Sequence, residues 1–203
     1  MVDWNKTNKQ KQMGNKTKQD KHRFFYPPEF EKMLDYLNRN GKFTALFMIN
    51  TGARINEARG FIKDSLTDNE RRNIILIHTK VRVRLKEKSP RIRTLPVSKP
   101  FFNQLKKDLP THRILSTNAF NLALKEACKK AKIKQPEQFS SHNIRKTFAT
   151  WMLSLGIDGF KLAKHLGHTP NELARDYATN DVFNHPDKQI MRSIFKDLPE
   201  RIR

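Results

Sequence analysis

Residues 141–155 read Ser-His-Asn-Ile-Arg-Lys-Thr-Phe-Ala-Thr-Trp-Met-Leu-Ser-Leu. Ile144, Phe148, Trp151 and Leu155 follow the four-three-four spacing of an apolar stripe, which predicts a helix with one face in a core. His142 and Arg145 stand three apart, on one side of the first turns and beside that stripe. An arginine, a histidine and the positive end of a helix converging together favour a phosphate. On spacing alone, a solvated surface pair is the commoner outcome.

Downstream, the chain reads as further helix punctuated by Gly156, Gly159, Gly167, Pro170 and Pro186. Leu166-Gly167-His168 is followed nine residues later by Tyr177, in a short stretch with polar neighbours. His165 and His168 flank a glycine and lack a third ligand, so no metal site is expected. Ile190, Ile194, Phe195 and Leu198 predict an amphipathic helix over residues 187–198. It can pack on its own core or dock on a neighbouring protomer.

Upstream, helical pattern is predicted over 117–132, with Ser116 or Thr117 as N-cap, and over 98–109. Before these the period changes to two. Ile74 to Ile77 form an apolar run, Val81, Val83 and Leu85 alternate with Arg82 and Arg84, and residues 91–97 make another strand. Lys86 to Pro90 would be the turn between the last two strands. Thr51-Gly52-Ala53-Arg54-Ile55-Asn56-Glu57 follows a helix through Phe43 and Ile49, with Gly52 allowing a tight turn. Arg54 and Glu57 sit one turn apart, either as a surface ion pair or with Glu57 aiming Arg54 elsewhere. Phe30, Met33, Leu34 and Leu37 predict the first helix, stopping at Asn40-Gly41, and Tyr26 and Tyr36 are expected in core or groove positions. The order of helices, small sheet, helices predicts a mainly α domain with a small antiparallel β-sheet, an α+β fold.

The chain has 203 residues and a formal charge of +21, with 41 Lys and Arg against 20 Asp and Glu. Such a charge calls for a polyanionic partner, since self-repulsion opposes compaction. The basic residues are spread along the chain rather than gathered on one amphipathic helix, which favours nucleic acid over a membrane surface. The single cysteine, Cys128, excludes a disulfide framework and a multi-cysteine zinc site. There is no apolar run of transmembrane length, so a soluble, intracellular protein is expected. Residues 1–22 are rich in Lys, Asn and Gln and read as a disordered tail or DNA-contacting arm, with the folded domain over 23–203.

In chain order the segments run Thr-Gly-Ala-Arg-Ile-Asn-Glu (51–57), a basic hairpin ending Arg-Thr-Leu-Pro (93–96), His-Asn-Ile-Arg (142–145), Leu-Gly-His (166–168) and Tyr177. This order resembles the catalytic domain of the tyrosine recombinase, or phage integrase, family over roughly residues 24–180. The resemblance implies a tyrosine recombinase catalytic-domain fold and site-specific breakage and rejoining of double-stranded DNA through a 3′-phosphotyrosyl intermediate. It makes Arg54, His142, Arg145 and His168 the phosphate-handling set, Tyr177 the nucleophile and Glu57 the support of Arg54. Lys88, eight residues before Pro96, matches the hairpin lysine, with Lys86 its near rival. Arg82, Arg84, Lys86, Arg91 and Arg93 are the expected DNA contacts. The resemblance further implies four protomers on two DNA sites, a mobile-element or dimer-resolution setting in the cytoplasm near the nucleoid, and no metal, cofactor or small-molecule substrate. A non-catalytic DNA-binding protein of the same fold and a type IB topoisomerase-like enzyme are the alternatives. Only about 23 residues precede the recognisable domain, too few for the helical DNA-clamping domain usual in the family.

Overall fold

The computed structural model describes residues 23–61, Leu66, 73–78, 92–177 and 182–202. Arg82, Arg84, Lys86, Lys88 and Arg91, the strand expected around 81–85 and the tail 1–22 lie outside the described residues. Residues 23–26 lead in along the central helix: the Phe25 N–H donates to Thr147 Oγ1 at 2.9 Å and Trp151 Nε1 donates to the Phe25 carbonyl at 3.0 Å. Helix α1 (Pro27–Asp35) starts on a proline, and its Glu29 carboxylate accepts the Tyr26 N–H.

Helix α2 (Arg39–Thr51) begins earlier than the expected stop at Asn40-Gly41 allows. Asn38 caps it by accepting the Gly41 N–H at 2.8 Å, so Asn40 and Gly41 fall in its first turn instead of ending α1. Gly52 ends α2 at φ +65°, and a Cβ there would lie 2.6 Å from the Phe148 ring. Helix α3 (Ile55–Arg59) follows at once. Strands β1 (Ile74–His78) and β2 (Ile92–Pro96) pair antiparallel, with Ile75 opposite Leu95 and Ile77 opposite Arg93.

Helices α4 (Lys99–Asp108) and α5 (Thr117–Lys130) are capped by Ser98 and Ser116. A 3-10 turn (Pro136–Gln138) then leads into α6 (Ser141–Ser154). Helix α6 is enclosed by α2, α5, α7 (Gly159–Leu166) and α8 (Pro170–Tyr177), which is why it is buried on nearly every side. Ile144, Phe148 and Trp151 are fully buried, as the apolar spacing requires, and Leu155 is nearly so. Cys128 is buried among apolar side chains that push its thiol up to about 12, so it packs rather than reacts.

Helix α9 (His185–Phe195) and helix α10 (Leu198–Ile202) fold back onto the same core. Phe195 is fully buried, with ring centroids 5.7 Å from Phe148 and 5.9 Å from Trp151. Burying such a side chain contributes about 1.5–3 kcal/mol, and here it is spent on the chain's own central helix. Phe24, Tyr26 and Phe183 form a three-ring cluster that ties the segment after α8 to the start of the domain. Tyr26 and Tyr36 are 43% and 50% exposed, so of the two placements expected, core or groove, neither takes the core one.

The observed architecture is the mainly α domain with a small antiparallel sheet. Replacing Gly52 by Ala should destabilise it by roughly 2–5 kcal/mol, from left-handed strain plus overpacking against Phe148. A urea titration of Gly52→Ala reads this directly, and an unchanged midpoint would mean that Phe148 yields freely.

Candidate active site

Glu57 is brought to the centre by its own helix. Its Oε2 accepts the Arg54 backbone N–H at 2.8 Å, one arm of a capping arrangement at the start of α3. The carboxylate is only 3% exposed, yet three guanidiniums reach it: Arg54 at 3.0 Å, Arg93 at 3.0 Å and Arg145 at 3.5 Å. Burial pushes the Glu57 carboxyl up, but the charges of Arg93, Arg145 and Arg54 with the Arg54 N–H outweigh it, and the net effect is a lowered pKa. Glu57 is therefore ionised at neutral pH.

Arg145 is 1% exposed, contrary to the commoner fate of a surface arginine at that spacing. Two helix ends account for this. Its Nη1 donates to the Gly52 carbonyl and its Nη2 to the Leu166 carbonyl, each at 2.6 Å. Gly52 and Gly167 both adopt left-handed conformations and stop α2 and α7. Carbonyls left over at a helix C-terminus carry partial negative charge, so a guanidinium set between two of them is stabilised from both sides.

His168, two residues past the end of α7, stands between the two arginines. Its Nε2 lies 3.1 Å from Arg54 Nη2 and 2.9 Å from Arg145 Nη2. Guanidiniums only donate, so this ring nitrogen is the acceptor for both. Arg54 is 45% exposed and reaches outward, while Arg145 forms the floor. His142 is exposed at the start of α6, so the His142/Arg145 pair is split between solvent and interior. Tyr177 is the last residue of α8, nine residues beyond His168 in the chain.

Arg93, expected at a DNA surface, points inward: Nη2 donates to Glu57 and Nη1 to the Leu166 carbonyl. Strand phase could have shown this, since Arg93 lies on the same face as Leu95 and Val97, both buried. His165 has a separate task from His168. It is buried against the Phe148 ring, with Nε2 donating to the Thr51 carbonyl at 2.9 Å. Among the described residues no cluster of three or more His, Cys, Asp or Glu could hold a metal ion. No described helix is long and apolar enough to cross a membrane.

Residues 23–183 match the phage integrase family. The chain belongs to that family. Solved structures of similar fold include the XerA recombinase, at 16% identity over 86% of this chain and 65% of that one, with a TM-score of 0.59. The Tn1549 transposon integrase, solved in complex with a circular intermediate DNA, matches at 14% identity over 85% of this chain and 65% of that one, TM-score 0.62. The integrase of mycobacterium phage Brujita matches at 15% identity over 89% of this chain and 63% of that one, TM-score 0.53. At these identities the likeness is one of fold, and this integrase-family chain spans 63 to 65% of the length of those three structures. No curated protein matches it.

Burial lowers the His165 pKa from 6.5 to about 4, so its ring is neutral in the folded protein at neutral pH. Between those two values the unfolded chain binds a proton that the folded chain does not. Stability is therefore full above about pH 6.5 and falls as pH drops towards 4, by about 1.4 kcal/mol per unit. Glu57, with its lowered pKa, contributes its own loss only at lower pH, below the ordinary carboxylate range. Urea midpoints measured across this window should fall for the wild type and stay nearly level for His165→Phe.

Proposed function

We propose that this chain is the catalytic domain of a tyrosine-type site-specific DNA recombinase. The observation that supports it most is the meeting of Arg54 Nη2 and Arg145 Nη2 on one acceptor, His168 Nε2, at 3.1 and 2.9 Å. Two guanidinium donors aimed at one small site suit the non-bridging oxygens of a scissile phosphate, which gain charge in the transition state. Three guanidiniums face the single Glu57 carboxylate, so the cluster as a whole favours an incoming anion.

In this reading the Tyr177 hydroxyl attacks phosphorus, the Oη–P bond forms and the bond to the 5′ oxygen breaks. A phenol of pKa about 10 is a weak nucleophile at neutral pH, so its proton needs an acceptor, and the exposed His142 ring serves. Lys88 donates a proton to the departing 5′ oxygen. His168 moves from its present lone-pair contact to hold a phosphate oxygen beside the two arginines. The product is a 3′-phosphotyrosyl link and a free 5′ hydroxyl. Attack of a partner strand's 5′ hydroxyl on the same phosphorus then releases Tyr177, which takes back its proton. The ester is exchanged rather than hydrolysed, so the cycle needs no nucleotide, redox cofactor or metal. Four protomers on two DNA sites complete the proposed assembly.

A nicked suicide DNA substrate tests the chemistry. The wild type should give a covalent protein–DNA band on a denaturing gel that Tyr177→Phe does not. DNA binding without the band would move the reading to a non-catalytic DNA-binding factor, and supercoil relaxation without junction products to a type IB topoisomerase-like enzyme. Arg54→Ala and Arg145→Ala should each lower adduct formation by about 100-fold or more while retaining much of the DNA affinity. Lys88→Ala should cost far more than Lys86→Ala, and the reverse order would reassign the general acid.

A further inference from the structure

Arg93, the guanidinium that reaches Glu57 from β2, takes no step in the proposed chemistry. Strand β2 is phased so that Leu95 and Val97 are fully buried, and the same phase turns Arg93 inward and leaves Ile92 57% exposed. Arg93 Nη2 lies 3.0 Å from Glu57 Oε2, the oxygen that also accepts the Arg54 N–H. Its Nη1 donates to the Leu166 carbonyl, the same oxygen that accepts Arg145 Nη2. Arg93 thus shares one acceptor with each of the two phosphate-facing arginines. Backbone makes room for it: Gly167 is left-handed, and a Cβ there would lie 2.5 Å from Arg93 Nη1.

We propose that Arg93 is a positioning residue for strand cleavage, fastening β2 to Glu57 and to the end of α7, and so fixing the aim of Arg54 and Arg145. This rests on the recombinase reading. A planar guanidinium can span a carboxylate on α3 and a carbonyl at the end of α7 at once, which a lysine ammonium on a flexible stem does poorly. Arg93 also helps keep Glu57 ionised. Burial pushes that carboxyl up, and Arg93 leads the opposing charges, ahead of Arg145 on α6 and Arg54 before α3. Among the described residues, the other titratable groups at the cluster are His168, which touches Arg54 and Arg145, and His165, which feels the charges of Arg93 and Arg145.

The test compares wild type, Arg93→Gln and Arg93→Lys in single-turnover cleavage of the nicked substrate at saturating DNA, across the acid range, with DNA affinity measured against salt. Arg93→Gln should cleave about 100-fold more slowly, the cost of a small misplacement of catalytic groups. Its acid limb should move to higher pH, because Glu57 then loses its foremost partner. Affinity and its salt slope should stay as in the wild type. Arg93→Lys should restore the acid limb but only part of the rate. Wild-type rate in Arg93→Gln would overturn the inference, as would a salt slope reduced by about one with normal cleavage at saturation, the signature of a phosphate contact. If Arg93→Gln does not fold, as its urea midpoint will show, Arg93→Lys carries the decision through its rate. No adduct from the wild type would remove the recombinase reading and this inference with it, whereas wild-type adduct with unaffected variants would remove the inference alone.

Discussion

A carboxylate buried to 3% exposure, with three guanidiniums around it, is the constraint from which the arrangement of this domain follows. Taking Glu57 out of water costs several kcal/mol, and so does taking Arg145, so neither position is tolerable without the other. Glu57 is held from three directions: by the N–H of its own helix start, by a strand residue and by a residue of the central helix. Elements α3, β2 and α6 therefore meet at a point set by hydrogen-bond lengths rather than by the looser tolerances of apolar packing. The excess of positive charge at that point matches the chain's overall charge of +21 and suits a polyanion.

The second determinant is where helices end. Helix α2 stops at Gly52 and α7 at Gly167, and the carbonyls of Thr51, Gly52 and Leu166 are all taken by side chains of other elements: His165, Arg145 and Arg93. These groups would otherwise be left without intrahelical partners. Their satisfaction by cationic or N–H-bearing side chains turns an ordinary need of helix termini into a fixed seat for Arg145, Arg93 and His165. The two left-handed glycines are needed for the same reason. Each permits the abrupt stop, and each leaves space that a Cβ would close, against Phe148 in one case and Arg93 in the other.

Much of this was legible in the residues. The stripe Ile144, Phe148, Trp151, Leu155 located the central helix, because its period follows from backbone geometry alone, and the short apolar run 74–77 with the strand expected over 91–97 located the sheet. Arg54 and Glu57 were recognisable as a pair because they lie one helical turn apart. The boundary at residues 38–41 was misjudged, since Asn40-Gly41 has the composition of a stop while the Asn38 cap depends on a bond to a backbone N–H three residues on. Arg93 is expected at the surface from its charge alone, although it shares the phase of Leu95 and Val97, and only the arrival of Glu57 on α3 makes that inward position tolerable for a cation. His165 and His168, so near in sequence, proved to serve different partners for want of any local signal to separate them.

The amino-acid sequence by itself determined the element types, the order of the motifs and the strongly basic character, all of which rest on short-range periodicity and on counting charges. Tertiary structure alone decided that Arg145 is buried while His142 is exposed, that Arg93 turns to Glu57, and that the C-terminal helices pack on the chain's own core. These outcomes depend on which acceptors and apolar faces arrive from distant parts of the chain. Burial of a charge is settled by its partners, and the partners of Arg145, at Gly52, Glu57 and Leu166, come from three separate segments that only the fold brings together.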